Sequence, residues 1–403
     1  MLQKGFEMAL YAFDGTWNEA KDGEDSRQRN TNVVRFKRAY SANSSTEDFY
    51  VAGVGTRFDA VGRVFGGLFG LGEAPRIEEA YEHLCRRWAA GDHFIDIVGF
   101  SRGAATTLDF CHWVLKLGIR KPGKGPVVEP SPQIRFLGVW DVVAAFGLAN
   151  LGNTALNIGH HLTIPKDNLR YCFHALALDE RRPSYLPTRL NGACEVWFRG
   201  AHSDIGGGNG NVGLNDVSLT WMMRKANAAG LPITDADIAA LKPVPTTSPH
   251  LDPKLPFTTR LISAVDRRHY TVSPVDGCTT PPETCTVETE ADERQATELA
   301  GLQVEVLPIA LQRRVNILWE TAKSVAAQLD FTLEGVQDPF ISLLQNRIVL
   351  VTNEQQLIEA GHTVARLVTT MIKGARARGF HTLSEFFMNE ALFNMPRQFP
   401  LTD

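Results

Sequence analysis

The chain has 403 residues, of which 44% are hydrophobic and 21% are charged, and its formal net charge at pH 7 is −4. This length suits one large domain, or one domain with an appendage, around a substantial core. The charge gives no overall attraction to nucleic acid or to an anionic membrane, so we predict no nucleic-acid partner. No apolar run approaches the roughly 18 residues of a membrane span. The first residues lack the features of a Sec signal, so we expect a cytoplasmic location in the producing cell.

The first predicted strand, within residues 8–13, ends in an Asp-Gly-Thr turn. A phosphatase of the haloacid dehalogenase type would carry its aspartate nucleophile at position 12, where this chain has Ala12, so that chemistry is excluded. The backbone N–H groups of Gly15 and Thr16 are candidate oxyanion donors, which are typically worth about 3 kcal/mol each. A polar turn closed by the Asp14 side chain is the structural alternative, and it stays open.

A predicted helix and strand lead into the most informative turn of the chain. Residues 75–90 carry apolar side chains at helical spacing after a proline. The apolar run 94–98 then enters a Gly-x-Ser-x-Gly turn that is followed by a helix-compatible stretch. This is the layout of a nucleophile elbow, in which Gly99 and Gly103 let two backbones approach and Ser101 stands above the sheet.

The residue after the serine, Arg102, would place its backbone N–H at the helix N-terminus, where negative charge is stabilised. We therefore predict this amide as the first oxyanion donor. The plain alternative is that Ser101 only caps the helix. A serine nucleophile also needs a base, and the base needs an orienting acid.

His202 is the preferred base among 11 histidines. It follows the predicted strand 196–198 and precedes three glycines, so its loop can reach the sheet edge that carries the serine. His174 lies in an apolar segment and is interpreted as a buried structural residue. His160 and His161 adjoin a Gly/Asn-rich segment and are interpreted as loop residues.

Asp141 is the preferred acid because it ends a predicted strand within residues 134–142, and open α/β sheets place working groups at strand carboxyl ends. Asp204 lies only two residues from the histidine and is expected to stabilise its own loop. Asp179 precedes a glutamate and two arginines, so an ion pair is the simpler explanation there. The resulting order of serine, aspartate and histidine is that of α/β-hydrolases.

Seven motifs follow one another between roughly residues 8 and 232. They are FDGTWN (13–18), TNVVRF (31–36), GVGT (53–56), GFSRGA (99–104), GVWDVVAAFG (138–147), HALALDERR (174–182) and VWFRGAHSDIGGG (196–208). In this order they resemble the α/β-hydrolase domain family that includes the type VI secretion phospholipase effectors. The resemblance implies that the serine of GFSRGA, the aspartate of GVWD and the histidine of HSD form a triad, and these are Ser101, Asp141 and His202.

Two positions depart from the family pattern. Ala105 stands where family members usually have an aromatic residue, and Arg199 stands where they usually have proline. Neither departure removes a catalytic group, but both bear on the shape of the acyl pocket. The resemblance implies an α/β-hydrolase-like fold, with a mostly parallel sheet, helices on both faces and a mainly helical C-terminal part.

The function implied is that of a serine esterase or lipase, in particular a phospholipase acting on membrane lipids and serving as an antibacterial effector. Such an effector would contact a membrane transiently, leave the cell without a cleaved leader, and meet a secretion apparatus and an immunity protein. A small-ester hydrolase without membrane action, and a non-catalytic binding module on a hydrolase scaffold, stay open. No Cys/His spacing indicates zinc, and we predict no metal and no cofactor.

Several segments have two interpretations. The apolar stretches 60–72 and 142–159 are either ordinary buried connections or a lid and acyl-pocket wall. The glycine-rich run 206–213 is interpreted as a flexible hinge for the histidine, and a cation near Asp204 and Asp216 stays open. The six cysteines read as reduced core residues, although a bridge between Cys278 and Cys285 in a predicted loop also stays open.

The predicted organisation has three parts. Residues 1–240 form the catalytic domain, in which a further helix is predicted at 221–232. Residues 241–300, rich in proline, threonine and acidic side chains, form a loop-rich connection. Residues 301–403 carry apolar side chains at helical spacing and form a cap or accessory module.

Overall fold

An eight-stranded sheet organises the chain. The computed structural model describes residues 8–15, 18–23, 25–53, 74–143, 164–165, 167–182, 185, 187–190, 192–251, 260, 262 and 266–299. The strands of the sheet are β1 (Leu10–Phe13), β2 (Phe49–Val51), β3 (Asp96–Phe100), β6 (Ile134–Trp140), β7 (Leu169–Ala177), β8 (Cys194–Phe198), β9 (Arg267–His269) and β10 (Thr286–Glu288). A separate antiparallel hairpin joins β4 (Ile119–Arg120) to β5 (Val127–Glu129).

The sheet order is β10-β9-β8-β7-β6-β3-β1-β2, and each pair of neighbouring strands is parallel. The predicted mostly parallel α/β fold is therefore confirmed. The register pairs Phe100 of β3 with Trp140 of β6, and Trp140 with Ala175 of β7. Because these strands end close together, the residues that follow them meet at one edge of the sheet.

Helices cover both faces, as predicted. They are α1 (Ser26–Arg29), α2 (Asn32–Asn43), α3 (Ala74–Ala89), α4 (Ser101–Leu117), α5 (His202–Gly206), α6 (Val212–Ala228), α7 (Asp235–Ala239) and α8 (Glu290–Glu293). Side chains of a strand alternate between the faces, so Ile97 packs in the core beneath α3 and α4 while Val98 packs in the core beneath α2 and α6. The two cores hold the site between them at the strand ends.

The helix predicted at 221–232 is α6, which begins nine residues earlier at Val212 and ends at Ala228. The prediction missed its first turns because they follow a run of glycines that favours a loop. Gly213 lies inside this helix, where a Cβ atom would be 2.3 Å from Thr247 Oγ1 and 3.1 Å from Val244 Cβ. A glycine is needed there because the loop 244–247 packs directly on the helix.

The segment 241–300, predicted as a loop-rich connection, contributes β9 and β10 to the main sheet. Each of these strands has only three residues, and their sequences Arg-Arg-His and Thr-Val-Glu lack the apolar alternation that identifies a strand. Buried ion pairs, rather than apolar side chains, help to hold these strands in the sheet. Glu288 of β10, for example, pairs with Lys225 of α6 at 2.7 Å. The predicted boundaries at 240 and 300 remain predictions.

Several predictions fall wholly or largely outside the described residues. They concern the helical module at 301–403, the stretch 60–72, and the stretch 142–159 beyond its first two residues, Val142 and Val143, which are buried. The six cysteines are described and form no disulfide, so the bridge between Cys278 and Cys285 is not present. Within the described residues, no helix has both the length and the apolar character to cross a bilayer.

Candidate active site

Ser101 occupies the turn between β3 and α4. It is the first residue of α4 and has a φ of +58°, a left-handed conformation that is unusual for a residue with a side chain. A Cβ atom on Gly99 would lie 2.8 Å from Ala104 Cα, and one on Gly103 would lie 2.3 Å from the carbonyl oxygen of Asp14. Both flanking glycines therefore permit the close backbone contacts of an elbow, as the sequence predicts.

The structure brings the serine together with the predicted histidine and aspartate. His202 Nε2 lies 2.9 Å from Ser101 Oγ, and His202 Nδ1 lies 2.6 Å from Asp141 Oδ2. The three side chains come from different elements, since the serine follows β3, the aspartate follows β6 and the histidine starts α5. The relative exposures of Ser101, His202 and Asp141 are only 6%, 3% and 0%, so the hydrogen bonds are shielded from water.

Asp141 is held by more than the histidine. Its Oδ1 accepts the Ala177 N–H at 3.0 Å, and both of its oxygens accept from Arg260, at 2.9 Å for Oδ1 and 2.8 Å for Oδ2. Burial alone would raise the pKa of Asp141, but the Arg260 charge and the bond from His202 lower this pKa to about 2. The carboxylate is therefore ionised throughout the neutral range.

Two aromatic rings fix the orientation of the His202 imidazole. The ring centroid of Phe100 lies 4.6 Å from it and that of Tyr185 lies 4.8 Å from it, the latter edge-on. The backbone N–H of His202 donates to Glu180 Oε2 at 3.1 Å. The imidazole is thus enclosed by packing on its faces and anchored at its backbone, which limits the rotamers open to it.

The adjacent acidic residues of HALALDERR anchor the loop before the histidine. Asp179 accepts the Gly200 N–H at 2.7 Å and pairs with the Arg199 guanidinium at 2.6 Å. The ion pair predicted for Asp179 is therefore present, but with a distant arginine, while the neighbouring Arg182 pairs with Glu180 at 2.8 Å. Arg199, which stands where the family pattern has proline, is buried and also donates to the backbone of 273 and 279.

The predicted oxyanion donors have different surroundings. The Arg102 amide lies in the first turn of α4, and first-turn amides point out of the helix N-terminus. The Gly15 amide is bonded to Asp14 Oδ1 at 2.7 Å, and Thr16 lies outside the described residues. Asp14 also accepts from the hydroxyls of two side chains, Thr31 and Tyr50, each at 2.8 Å. Burial raises the pKa of Asp14 to about 6 against these hydrogen bonds.

His174 is buried, as predicted, and it supports the turn that carries the acid. Its Nε2 accepts the N–H of Val142 at 3.1 Å, while its Nδ1 lies 3.0 Å from Glu195 Oε1. The acceptor role of Nε2 requires the proton on Nδ1, so the imidazole is neutral and donates to Glu195. His160 and His161 lie outside the described residues.

The first glycines of the run after the histidine, Gly206 and Gly207, are packed, in contrast to the predicted flexible hinge. A Cβ atom on Gly206 would lie 1.9 Å from the Phe100 ring, and Gly207 pairs with Thr31 in a β-bridge. Asp204 accepts from the Ala201 amide at 2.9 Å, which fixes its own loop as predicted. Asp216 instead pairs with Arg27 and Arg35. No group of three potential metal ligands lies together in the described part of the chain.

Two stretches, residues 9–128 and 119–225, match a sequence model described as the type VI secretion system (T6SS) phospholipase effector Tle1-like catalytic domain. The overlapping matches together cover more than half of the chain. The chain belongs to this Tle1-like family. The family resemblance predicted from the seven motifs is thereby confirmed. Ser101, Asp141 and His202 lie within the matched residues, whereas Arg260 lies beyond them.

A solved structure similar to this Tle1-like chain is the crystal structure of an uncharacterized protein from Pseudomonas aeruginosa. The sequence identity is 19% and the TM-score is 0.38, a value too low to support an argument from the similarity. The comparison covers 99% of this chain and 64% of that protein, so the chain spans less than two thirds of that protein's length. No curated protein matches the chain in sequence.

Sequence reasoning missed two residues of this Tle1-like site. Glu180 lies inside the HALALDERR motif, and its place in a quoted motif was the signal available for it. Arg260 lies in a stretch without any motif, and its contact with Asp141 joins residues 119 positions apart. Only the folded chain identifies it.

Proposed function

We propose that the chain is a serine hydrolase that cleaves carboxylic-ester bonds of membrane phospholipids. The observation that carries the proposal is the hydrogen-bonded series Ser101–His202–Asp141 at the carboxyl end of the sheet, with distances of 2.9 Å and 2.6 Å. A serine beside an imidazole that is itself oriented by a buried carboxylate is the arrangement that activates a hydroxyl for acyl transfer. The Tle1-like family supports a phospholipid as the ester.

In the proposed reaction, Ser101 Oγ attacks the ester carbonyl carbon while His202 Nε2 takes the hydroxyl proton. Asp141 stabilises the resulting imidazolium through Nδ1 and remains ionised itself. His202 then gives the proton to the departing alkoxide of the lysolipid, which leaves an acyl group on Ser101. A water molecule, deprotonated by the same imidazole, releases the fatty acid and regenerates the serine.

The oxyanion of the tetrahedral intermediate needs donors near the serine. The Arg102 amide is the first proposed donor because it directly follows the nucleophile at a helix N-terminus. The Gly15 amide is bonded to Asp14, so we assign to Asp14 the task of fixing this loop. Thr16 remains the predicted second donor.

Family membership alone supports the wider setting that we propose. The protein would be stored in the cytoplasm of the producing cell and exported without a cleaved leader by a type VI secretion apparatus. It would contact the target membrane transiently, and an immunity protein would protect the producer. No cofactor or metal is assigned to the reaction.

The experiment combines fluorophosphonate labelling with lipid hydrolysis. The full chain, Ser101→Ala and the control Ser131→Ala are each incubated with a fluorophosphonate and with vesicles of phosphatidylethanolamine and phosphatidylglycerol, and released fatty acid is measured. We expect Ser101→Ala to lose labelling and to lose at least about 10⁴-fold in rate. Ser131, an exposed residue before β6, should be dispensable.

Each other outcome rejects a part of the proposal. Full lipid hydrolysis by Ser101→Ala would reject the nucleophile. A folded wild-type chain that takes no label would favour a non-catalytic binding module. A labelled chain that cleaves p-nitrophenyl butyrate but not vesicles would favour a small-ester hydrolase.

A further inference from the structure

The Arg260 guanidinium lies against the proposed acid rather than on the protein surface. Arg260 and Asp141 are both fully buried, and two N–H···O bonds of 2.9 and 2.8 Å join them in a fork. Arg260 lies outside the residues that match the family model, 9–128 and 119–225. The contact is therefore a property of this chain that its family motifs do not record.

The two hydrogen bonds from Arg260 complete the set of donors to the Asp141 carboxylate. Oδ1 accepts from Ala177 N and Arg260, and Oδ2 accepts from His202 Nδ1 and Arg260. A carboxylate has about four acceptor directions, so these four donors leave it one orientation. Arg260 also donates to the carbonyl oxygen of Tyr185, whose ring covers the imidazole. One guanidinium thus fixes both the Asp141 carboxylate and the backbone of the residue whose ring packs against the imidazole.

The guanidinium charge also acts on the proton equilibrium of the site. A lone carboxylate beside an imidazole stabilises the imidazolium, while a cation on the far side of that carboxylate opposes the effect. The remaining charges around the pair are themselves paired. Glu180, which accepts the His202 N–H, pairs with Arg182 and also interacts electrostatically with Arg260, and the preceding residue, Asp179, pairs with Arg199. Arg260 is the cation in direct contact with Asp141.

We propose that Arg260 is a positioning residue of the triad, which orients Asp141 and whose charge lowers the pH at which the Asp141–His202 pair gives up its last proton. The inference rests on the proposed function for its role in turnover. The effect of Arg260 on the pH midpoint of the Asp141–His202 pair can be measured without turnover. Without the guanidinium this pair should keep its last proton to higher pH, whichever of the two residues carries it.

The test uses the full chain with Arg260→Gln, which removes the charge, and Arg260→Lys, which keeps the charge but not the fork. Arg135→Gln is the matched control, because Arg135 makes the same two-pronged contact with Asp96 at the opposite end of the sheet. Two profiles are measured against pH: kcat/KM for p-nitrophenyl butyrate, and the His202 imidazole signals by NMR on ¹³C-histidine protein. NMR is needed because Asp14, with a pKa raised by burial to about 6, titrates in the same range.

For Arg260→Gln we expect the midpoint of the Asp141–His202 pair, followed through the imidazole signals, and the acid limb of kcat/KM to rise by about 1 pH unit or more. Arg260→Lys should keep the wild-type midpoint but lose about tenfold in plateau kcat, because an ammonium orients a carboxylate less well than a fork. Arg135→Gln should change neither. A midpoint that stays in place in folded Arg260→Gln overturns the proposal.

If Arg260→Gln does not fold, Arg260→Lys decides, and a wild-type plateau kcat in that variant overturns the positioning role. The failure of the proposed function has a different signature. In that case the wild-type chain neither takes the fluorophosphonate label nor cleaves ester, while the NMR midpoints still report whether Arg260 controls the pair.

Discussion

The two ends of the sheet each bury an aspartate in contact with an arginine, and they differ in the third partner of the carboxylate. At the amino end, Asp96 accepts from Arg135 and from the Tyr40 hydroxyl at 2.7 Å. At the carboxyl end, Asp141 accepts from Arg260 and from the His202 imidazole. The same ionic contact therefore occurs beside the proposed nucleophile, Ser101, and at the end of the sheet away from it.

The third partner decides what each end can do. Burial and the neighbouring Asp96 hold the pKa of Tyr40 well above its ordinary value, so this hydroxyl keeps its proton. An imidazole exchanges a proton in the neutral range and can pass it to and from a substrate. The backbone differs as well, since Asp96 is a regular strand residue whereas Asp141 has a φ of +39°. A buried ion pair thus stabilises the fold at both ends. It can contribute to a reactive site only where a titratable base lies beside it.

The largest effect should come from removing the two carboxylates in turn. Asp141→Asn should lower kcat by about 10⁴-fold, because an amide cannot stabilise the imidazolium. Asp96→Asn should leave the kcat of the folded protein unchanged. Either change removes the carboxylate in contact with a largely buried guanidinium and should cost about 3–5 kcal/mol in the free energy of unfolding. Ester hydrolysis measures kcat, and urea denaturation measures the free energy of unfolding. An equal loss of kcat in both variants would show that the two ends of the sheet do not differ in their importance for turnover.

A second test compares glycines at the two ends of α4. A Cβ atom at Gly103 would lie 2.3 Å from the Asp14 carbonyl oxygen, and one at Gly118 would lie 2.7 Å from that of Glu129. Both alanine variants should be less stable. Only Gly103→Ala displaces the elbow from the loop that carries Asp14 and Gly15, so it alone should lose about 100-fold in kcat, as displacements of about 1 Å do. A comparable loss in Gly118→Ala would show that the ends are coupled through the helix.

The smallest expected effect is the change in the free energy of unfolding at acid pH. Burial would raise the pKa values of Asp141 and Glu180, but arginine partners lower both to about 2. Their contribution of about 2–3 kcal/mol each is present above about pH 4.5 and is lost as the pH falls through 2. At the amino end, burial raises the pKa of Asp92, so its protonation makes stability rise as the pH falls.

Urea midpoints at pH 7, 5 and 3 separate these opposite slopes. Asp92→Asn should reduce the gain on mild acidification, to which Asp14 also contributes because burial raises its pKa to about 6. Glu180→Gln should remove part of the loss in stronger acid. Identical pH profiles for wild type and both variants would contradict the assignment of these slopes to Asp92 and Glu180.

The sequence was sufficient for prediction where the same few residues specify both the proposed function and the local backbone. The elbow was predictable because Gly99 and Gly103 are required by backbone contacts within a few residues of Ser101. The proximity of His202 and Asp141 to Ser101 was predictable from strand ends, since a parallel sheet gathers those ends at one edge. Strands β9 and β10 and the contact of Arg260 were not, because they depend on ion pairs between segments far apart in the chain. No local apolar pattern encodes such pairs.

The left-handed conformation of Ser101 and Asp141 has a consequence for how the chain can change. Each such residue costs of the order of 1–3 kcal/mol, and glycine would relieve that cost. At Ser101 that relief should raise stability, whereas at Asp141 the loss of the buried ion pair with Arg260 would outweigh it. With Ser101 as the proposed nucleophile, turnover and resistance to heat make opposing demands on this one position, and a stabilised variant must gain its stability elsewhere.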